Sequence, residues 1–136
     1  MRKLLKEKVE KERSQLLLQP IESGSIGSGI PDIFFRDIHN EGWIELKQLI
    51  IKRNKMVYVP FRPGQYPWIK RYVKLNGNMI LLGTFKPSIH SLGHEKIWIV
   101  IKGKDIREIY TYDEFLKTAT LYLLKDVNFL RLLSRQ

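Results

Sequence analysis

Four short apolar runs constrain this 136-residue chain more than any other feature: "PDIFFRD", "GWIELKQLI", "NMILLGTF" and "KIWIVIKG". Each has the length and the β-branched and aromatic content of a strand. The first two flank a tight turn at His39-Asn40-Glu41-Gly42 and form a predicted hairpin over residues 31–49. Between the second and third runs, Pro63 suits the first turn of a helix over 63–76, with Gly77 just past its end. The buried stripe of that helix would be Trp68, Ile69, Tyr72 and Val73, and Met56 to Val59 would add a short strand. Residues 2–14 have the composition of an exposed helix, with Leu5 and Val9 at i,i+4. "LLLQPIES" is expected to be extended, because Pro20 does not continue a helix. Thr111 and Glu114 have capping-box spacing and open a helical C-terminal region, 111–136. A last helix there, from about Asp126, would carry Phe129, Leu130, Leu132 and Leu133. The order α-β-β-β-α-β-β-α predicts one α/β (α+β) domain over 1–136, a mixed central sheet flanked by helices.

With 43% hydrophobic residues the chain can build a core of its own. It has no cysteine, which excludes a disulfide scaffold, thiolate zinc sites and cysteine nucleophiles. Any metal must therefore be held by oxygen or histidine. No segment approaches the roughly 20 apolar residues that span a bilayer, so a soluble, cytoplasmic protein with no membrane partner is expected. The net charge is +10. Lys52, Arg53, Lys55, Arg62, Lys70, Arg71 and Lys74 supply much of it, with Lys102, Lys104 and Arg107 further on. A polyanion is the expected partner, and nucleic acid is the commonest. The alternative is a basic surface that confers solubility alone.

Carboxylates and amines among Ile, Phe and Trp call for pairing, a metal or chemistry. In a strand, Glu45 and Lys47 project to one face and Ile44 and Leu46 to the other. Asp32 begins the preceding strand, and hairpin pairing brings it near the line of Glu45 and Lys47. Two hard oxygen ligands suit Mg²⁺, which takes one or two carboxylates and shares a substrate phosphate. A lysine beside them could orient or deprotonate an attacking water and offset charge on phosphorus. Together these groups suit metal-assisted phosphodiester hydrolysis. No Walker loop, serine triad or dinucleotide fingerprint is present.

"GIPD", thirteen residues from Asp32 to Glu45, and then "ELK" resemble the PD-(D/E)XK nuclease superfamily. The nearest likeness is to its small resolvase-like and VRR-NUC-like branch, common in phages. The likeness includes "IES" before the glycines, "GWIELK", and "FRPGQYPWI", whose Gln65 and Trp68 match a glutamine-containing helix, and it covers Ile21 to Phe85. The resemblance implies a nuclease core acting on DNA with Mg²⁺, Mn²⁺ substituting, as a homodimer of the kind that viruses encode. Asp32 and Glu45 would be metal ligands, Lys47 the catalytic lysine and Gln65 a supporting active-site residue. Many members add a glutamate from the first helix. Here Glu7, Glu10 and Glu12 compete for that role, and Glu22, before the glycines, is a further candidate metal ligand.

Other readings of the same residues stay open. Glu45 and Lys47 could form a solvent-facing salt bridge on a half-exposed strand. Gln65 lies three, four and seven residues before Trp68, Ile69 and Tyr72, so it would share their inward stripe and need a partner. Trp43, Trp68 and Trp98 suit a core, and an exposed one could stack on a base. His90 and His94 have i,i+4 spacing but fall in a Gly- and Ser-containing loop. A non-catalytic nucleic-acid-binding protein and a protein-interaction module are the competing functional classes.

Overall fold

Apolar side chains on both faces of "GWIELKQLI" demand that both faces be covered, and this stretch becomes the central strand. The structure, a computed structural model, describes residues 16–21, 29–86, 97–123 and 132–133. Its strands are β1 (Leu16–Pro20), β2 (Ile33–Asp37), β3 (Glu41–Ile51), β4 (Met56–Tyr58), β5 (Met79–Phe85), β6 (Ile97–Lys102), β7 (Ile109–Thr111) and β8 (Thr120–Leu123). Two helices, α1 (Gln65–Lys74) and α2 (Tyr112–Thr118), and a 3-10 turn at Gly103–Asp105 complete the described elements. The fold is mixed α/β: an eight-stranded sheet of order β1-β2-β3-β5-β6-β8, with β4 joining β3 to β7. Among the described residues no helix is long and apolar enough to cross a membrane.

The sheet separates two apolar layers. Ile33, Phe35, Ile44, Ile80, Leu82, Trp98 and Val100 face one side, where Leu132 and Leu133 cover them. Leu49, Val57, Ile69, Met79, Leu81, Ile99 and Phe115 form the other layer, under α1 and α2. β3 pairs antiparallel with β2 and parallel with β5, which sets Trp43 beside Met79, Glu45 beside Leu81 and Lys47 beside Gly83. Parallel neighbours need a crossover. Here α1 lies within it, on the face to which Glu45 and Lys47 project.

Several boundaries differ from those expected. The β2–β3 turn begins at Asp37, whose Oδ1 accepts from the His39 and Asn40 amides at 2.7 and 2.6 Å. Glu41 and Gly42 therefore belong to β3, not to the turn. α1 starts at Gln65 rather than Pro63, because Gly64 enters it with a left-handed φ of 89°. At its other end Asn76 (φ 67°), not Gly77, takes the left-handed position. The Gly77 amide then bonds to the Tyr72 carbonyl at 2.9 Å. Thr111 caps α2 as expected, accepting from the Glu114 amide at 3.2 Å. The Glu114 carboxylate, however, goes to Arg107 at 2.6 Å instead of closing a capping box.

The region 111–136 is not helical throughout: α2 ends at Thr118, and the chain leaves Ala119 extended to form β8 against β6. β7 was also unanticipated, since its three residues depend on β4 for pairing. The N-terminal helix expected over 2–14, Gly24 and Gly27 of the glycine loop, His90 and His94, and most of the last helix lie outside the described residues.

Gly83 lets β5 approach β3 beside Lys47. A Cβ there would lie 2.8 Å from the Lys47 carbonyl oxygen and 2.6 Å from Leu49 Cδ1. We expect Gly83→Ala to lower unfolding stability by about 1–3 kcal/mol, read by urea denaturation. An unchanged midpoint would show that the strands separate freely.

Candidate active site

Three segments meet on the α1 side of β3. Because Ile33 pairs with Ile44, Asp32 comes opposite Glu45, and Asp32 Oδ2 accepts from the Leu46 amide at 2.9 Å. Glu45, in mid-strand between β2 and β5, is fully buried. Gln65, first residue of α1, is 3% exposed and turns inward. Its Oε1 accepts from Lys47 Nζ at 2.8 Å and from the Arg62 amide at 2.7 Å. An amide oxygen has two lone pairs, and these two donors use both. The sequence-derived cluster Asp32, Glu45, Lys47 and Gln65 is thus assembled in space. The half-exposed salt bridge is not what forms: Glu45 is buried, and the amine hydrogen-bonds to Gln65.

The glycine before the hairpin has a specific task. Gly29, at φ 71°, packs on Gly64, the residue just before α1, and a Cβ there would lie 2.5 Å from the Gly64 carbonyl oxygen. The segment leading to Asp32 can therefore pass directly against the start of the glutamine-bearing helix.

Neither carboxylate oxygen of Glu45 receives a hydrogen bond from a donor group. What faces it is a second carboxylate, Asp32. Between two acceptors only a proton or a cation can sit. In the metal-free protein, burial, followed by the hydrogen bond to Asp32 and its charge, pushes the Glu45 carboxyl up to about 9, against the smaller opposing pull of Lys47 and Arg62. Burial lowers the Lys47 amine from its ordinary value, opposed by the charges of Glu45 and Asp32. Its Nζ also lies 5.6 Å from the centre of the Phe61 ring.

The buried Glu45 carboxylate, with neither oxygen hydrogen-bonded to a donor, set against the half-buried Asp32 carboxylate, fits a small hard cation. Asp32 and Glu45 can hold Mg²⁺ or Mn²⁺, since Mg²⁺ commonly takes one or two carboxylates and completes its shell with water and phosphate. Among the described residues no group of three or more His, Asp and Glu side chains converges. Glu22, Glu7, Glu10 and Glu12 lie outside the described residues.

The basic residues divide into separate groups. Lys52, Arg53 and Lys55 are exposed at the tip of the β3–β4 hairpin, and Lys52 Nζ lies over the Tyr58 ring at 4.3 Å. Lys70, Arg71 and Lys74 are exposed on α1. Arg62 is exposed just before α1, and its charge acts on both Glu45 and Lys47. Trp98 is a core residue, whereas Trp43 and Trp68 are half-buried and meet edge to face at 6.0 Å. Sequence reasoning missed Phe61 and the electrostatic part of Arg62. Their position in the "FRPGQ" segment, immediately before an inward glutamine, was the available signal. No family model matches the chain, and no curated protein matches it.

Glu45 also fixes the sign of a pH effect. A carboxyl whose folded pKa is raised binds its proton more tightly when folded, so its stabilisation is complete below the unfolded value and is lost as pH rises through the folded one. Metal-free wild type should therefore lose stability relative to Glu45→Gln from pH 4.5 toward pH 9. At about pH 8 the variant should be the more stable, by at most about 5 kcal/mol, read by urea denaturation in EDTA. A constant difference across this window would place an ionised Glu45 in a solvated site.

Proposed function

We propose that the protein is a Mg²⁺-dependent endodeoxyribonuclease with a PD-(D/E)XK nuclease core. It hydrolyses phosphodiester bonds in branched DNA or at a specific duplex site, with Mn²⁺ able to substitute and a homodimer as the working assembly. The observation that carries this reading is the buried, donor-free carboxylate of Glu45 set against Asp32, with the Lys47 amine on the same strand face. The motif spacing and the basic hairpin tip and helix support it.

In this reading Asp32 and Glu45 hold the ion. When bound, Mg²⁺ supplies positive charge at the scissile phosphate and makes water more acidic. Lys47, whose burial favours the neutral amine, takes a proton from the attacking water. The water oxygen forms a new bond to phosphorus, and the bridging bond to the departing sugar oxygen breaks. That oxygen leaves as an alcohol after gaining a proton from solvent. Lys47, now charged, offsets the negative charge that has built up on the phosphoryl oxygens. Gln65 positions Lys47: its carbonyl ties the amine to α1 and to the Arg62 backbone. Lys52, Arg53, Lys55, Lys70, Arg71 and Lys74 contribute phosphate contacts, and Arg62 adds one near the reacting group.

The test is a cleavage panel of junction, flap, duplex and single-stranded DNAs in Mg²⁺, Mn²⁺ or EDTA. Cleavage is expected with either metal and not in EDTA, and Asp32→Ala and Glu45→Ala should abolish it while the fold and DNA binding persist. Lys47→Ala should lower saturated turnover by about a hundredfold to a thousandfold, with little change in binding. Undiminished cleavage by both carboxylate variants rejects the reading. Metal-independent DNA binding without cleavage of any substrate would favour a non-catalytic nucleic-acid-binding protein.

Gln65→Ala separates positioning from direct participation. Turnover should fall by roughly tenfold, and its pH profile should shift because the amine loses its acceptor. Metal affinity should stay unchanged. A fall in turnover with an unmoved pH profile would make Gln65 a packing residue.

A further inference from the structure

A cleft of about 620 Å³ lies between α1 and the 3-10 turn, away from Asp32 and Glu45. This volume is in the range of small-molecule sites, roughly 300–1,000 Å³. Its apolar lining comes from Ile69, Val73, Ile106 and Pro67. Lys70, Lys74 and Lys104, all exposed, bring positive charge to it, and none of the described residues lining it is acidic. Lys104 comes from the 3-10 turn and the other two from α1, so the charge reaches the cleft from two elements.

One wall connects the cleft to the candidate active site. Tyr66 stacks on Phe61 with centroids 5.5 Å apart and planes 17° from parallel. Lys70 Nζ lies 5.0 Å from the Tyr66 ring centre, and Lys47 Nζ lies 5.6 Å from that of Phe61. The Tyr66 hydroxyl donates to the Ile106 carbonyl at 3.4 Å and ties α1 to the chain just after the 3-10 turn. The stacked Phe61 and Tyr66 rings thus link Lys47 to Lys70.

We propose that this cleft binds an unpaired nucleotide of a DNA strand, its base on the apolar floor and its phosphate on Lys70, Lys74 and Lys104. Cations alone would suit any polyanion. The apolar floor narrows the choice, because a base within a duplex is paired at its edge and stacked on its faces. An unpaired base offers a flat apolar surface joined to an anion, which matches the lining. This choice of nucleotide over an acidic peptide rests on the nuclease reading, through the one-stack separation from Lys47. It deepens that reading by requiring a single-stranded portion in the substrate, as flaps and open junctions have.

The test measures fluorescence anisotropy of the full chain in EDTA, which removes cleavage. Three probes are compared: a twelve-nucleotide oligothymidylate, an abasic strand of the same length, and a duplex of the same length. Wild type should bind the thymidylate strand about tenfold more tightly than the abasic strand, the equivalent of partly burying one base on the apolar lining. The Lys74→Glu/Lys104→Glu double variant should erase that preference and weaken the thymidylate strand by about tenfold or more. Arg53→Glu, at the hairpin tip, should weaken all three probes and keep the preference. Circular dichroism checks that each variant folds. Equal wild-type affinity for the abasic strand would assign these lysines to backbone phosphates and overturn the proposal. A preference that survives in the double variant would overturn it as well. Wild type that shows the preference but cleaves nothing rejects the active-site reading and leaves the cleft standing. Metal-dependent cleavage without the preference does the reverse.

Discussion

Parallel pairing of β3 with β5 is the constraint on which the rest of the structure depends. Two parallel neighbours cannot be joined by a hairpin, so the chain must travel a dozen or more residues between them. Here that path carries β4, the "FRPGQ" segment and α1, and it returns to the sheet on the face where Glu45 and Lys47 project. The first residue of the crossover helix can then reach the strand lysine, and Gln65 Oε1 does so at 2.8 Å. The glycine at position 83 allows the tight approach of the two strands, and Gly29 allows the approach of the third segment. The cluster is a product of topology, because its members come from a pre-strand loop, a mid-strand pair and a helix start.

The electrostatics follow from the same placement. A mid-strand residue flanked by two other strands and roofed by a helix has no access to water, and Glu45 occupies that position. An ionised carboxylate there is costly unless something positive shares the site. Lys47 does not fill this role directly, since its hydrogen bond runs to Gln65. Burial consequently pushes the Glu45 carboxyl up toward its protonated form and makes the Lys47 amine easier to deprotonate. Frustration of this kind concentrates at functional sites, where it is relieved by what binds.

The local chemistry of the sequence was legible, and its long-range pairing was not. Period-two alternation sufficed to put Glu45 with Lys47 and to bring Asp32 opposite, and helical spacing put Gln65 with Ile69 on the inward side. These depend on neighbours within one strand, hairpin or helix. β7 and β8 were hidden because three- and four-residue strands carry little pattern of their own and form by pairing with β4 and β6. The early β2–β3 turn was hidden because Asp37 ends the strand and at the same time organises the turn through its carboxylate, which strand patterning does not register. Full burial of Glu45 could not be read from i,i+2 charges, which look the same on a solvent-facing strand. Lys104 is separated from α1 by β5 and β6, so nothing local marked it as a neighbour of Lys70 and Lys74.

The contact between Gly29 and Gly64 has an evolutionary consequence. Two positive-φ glycines on separate segments meet here: a side chain at position 29 must displace the approach to Asp32 or the start of α1, and one at position 64 would be strained at φ 89°. Neither can drift without the other, and both are tied to residues of the cluster. The exposed side chains of Lys52 and Arg53 at the hairpin tip carry no such coupling, while Asn54 and the positive-φ Lys55 shape the turn that presents them. Descendants of this chain would therefore vary at these exposed side chains long before they altered the joint that holds Asp32 and Gln65 against β3.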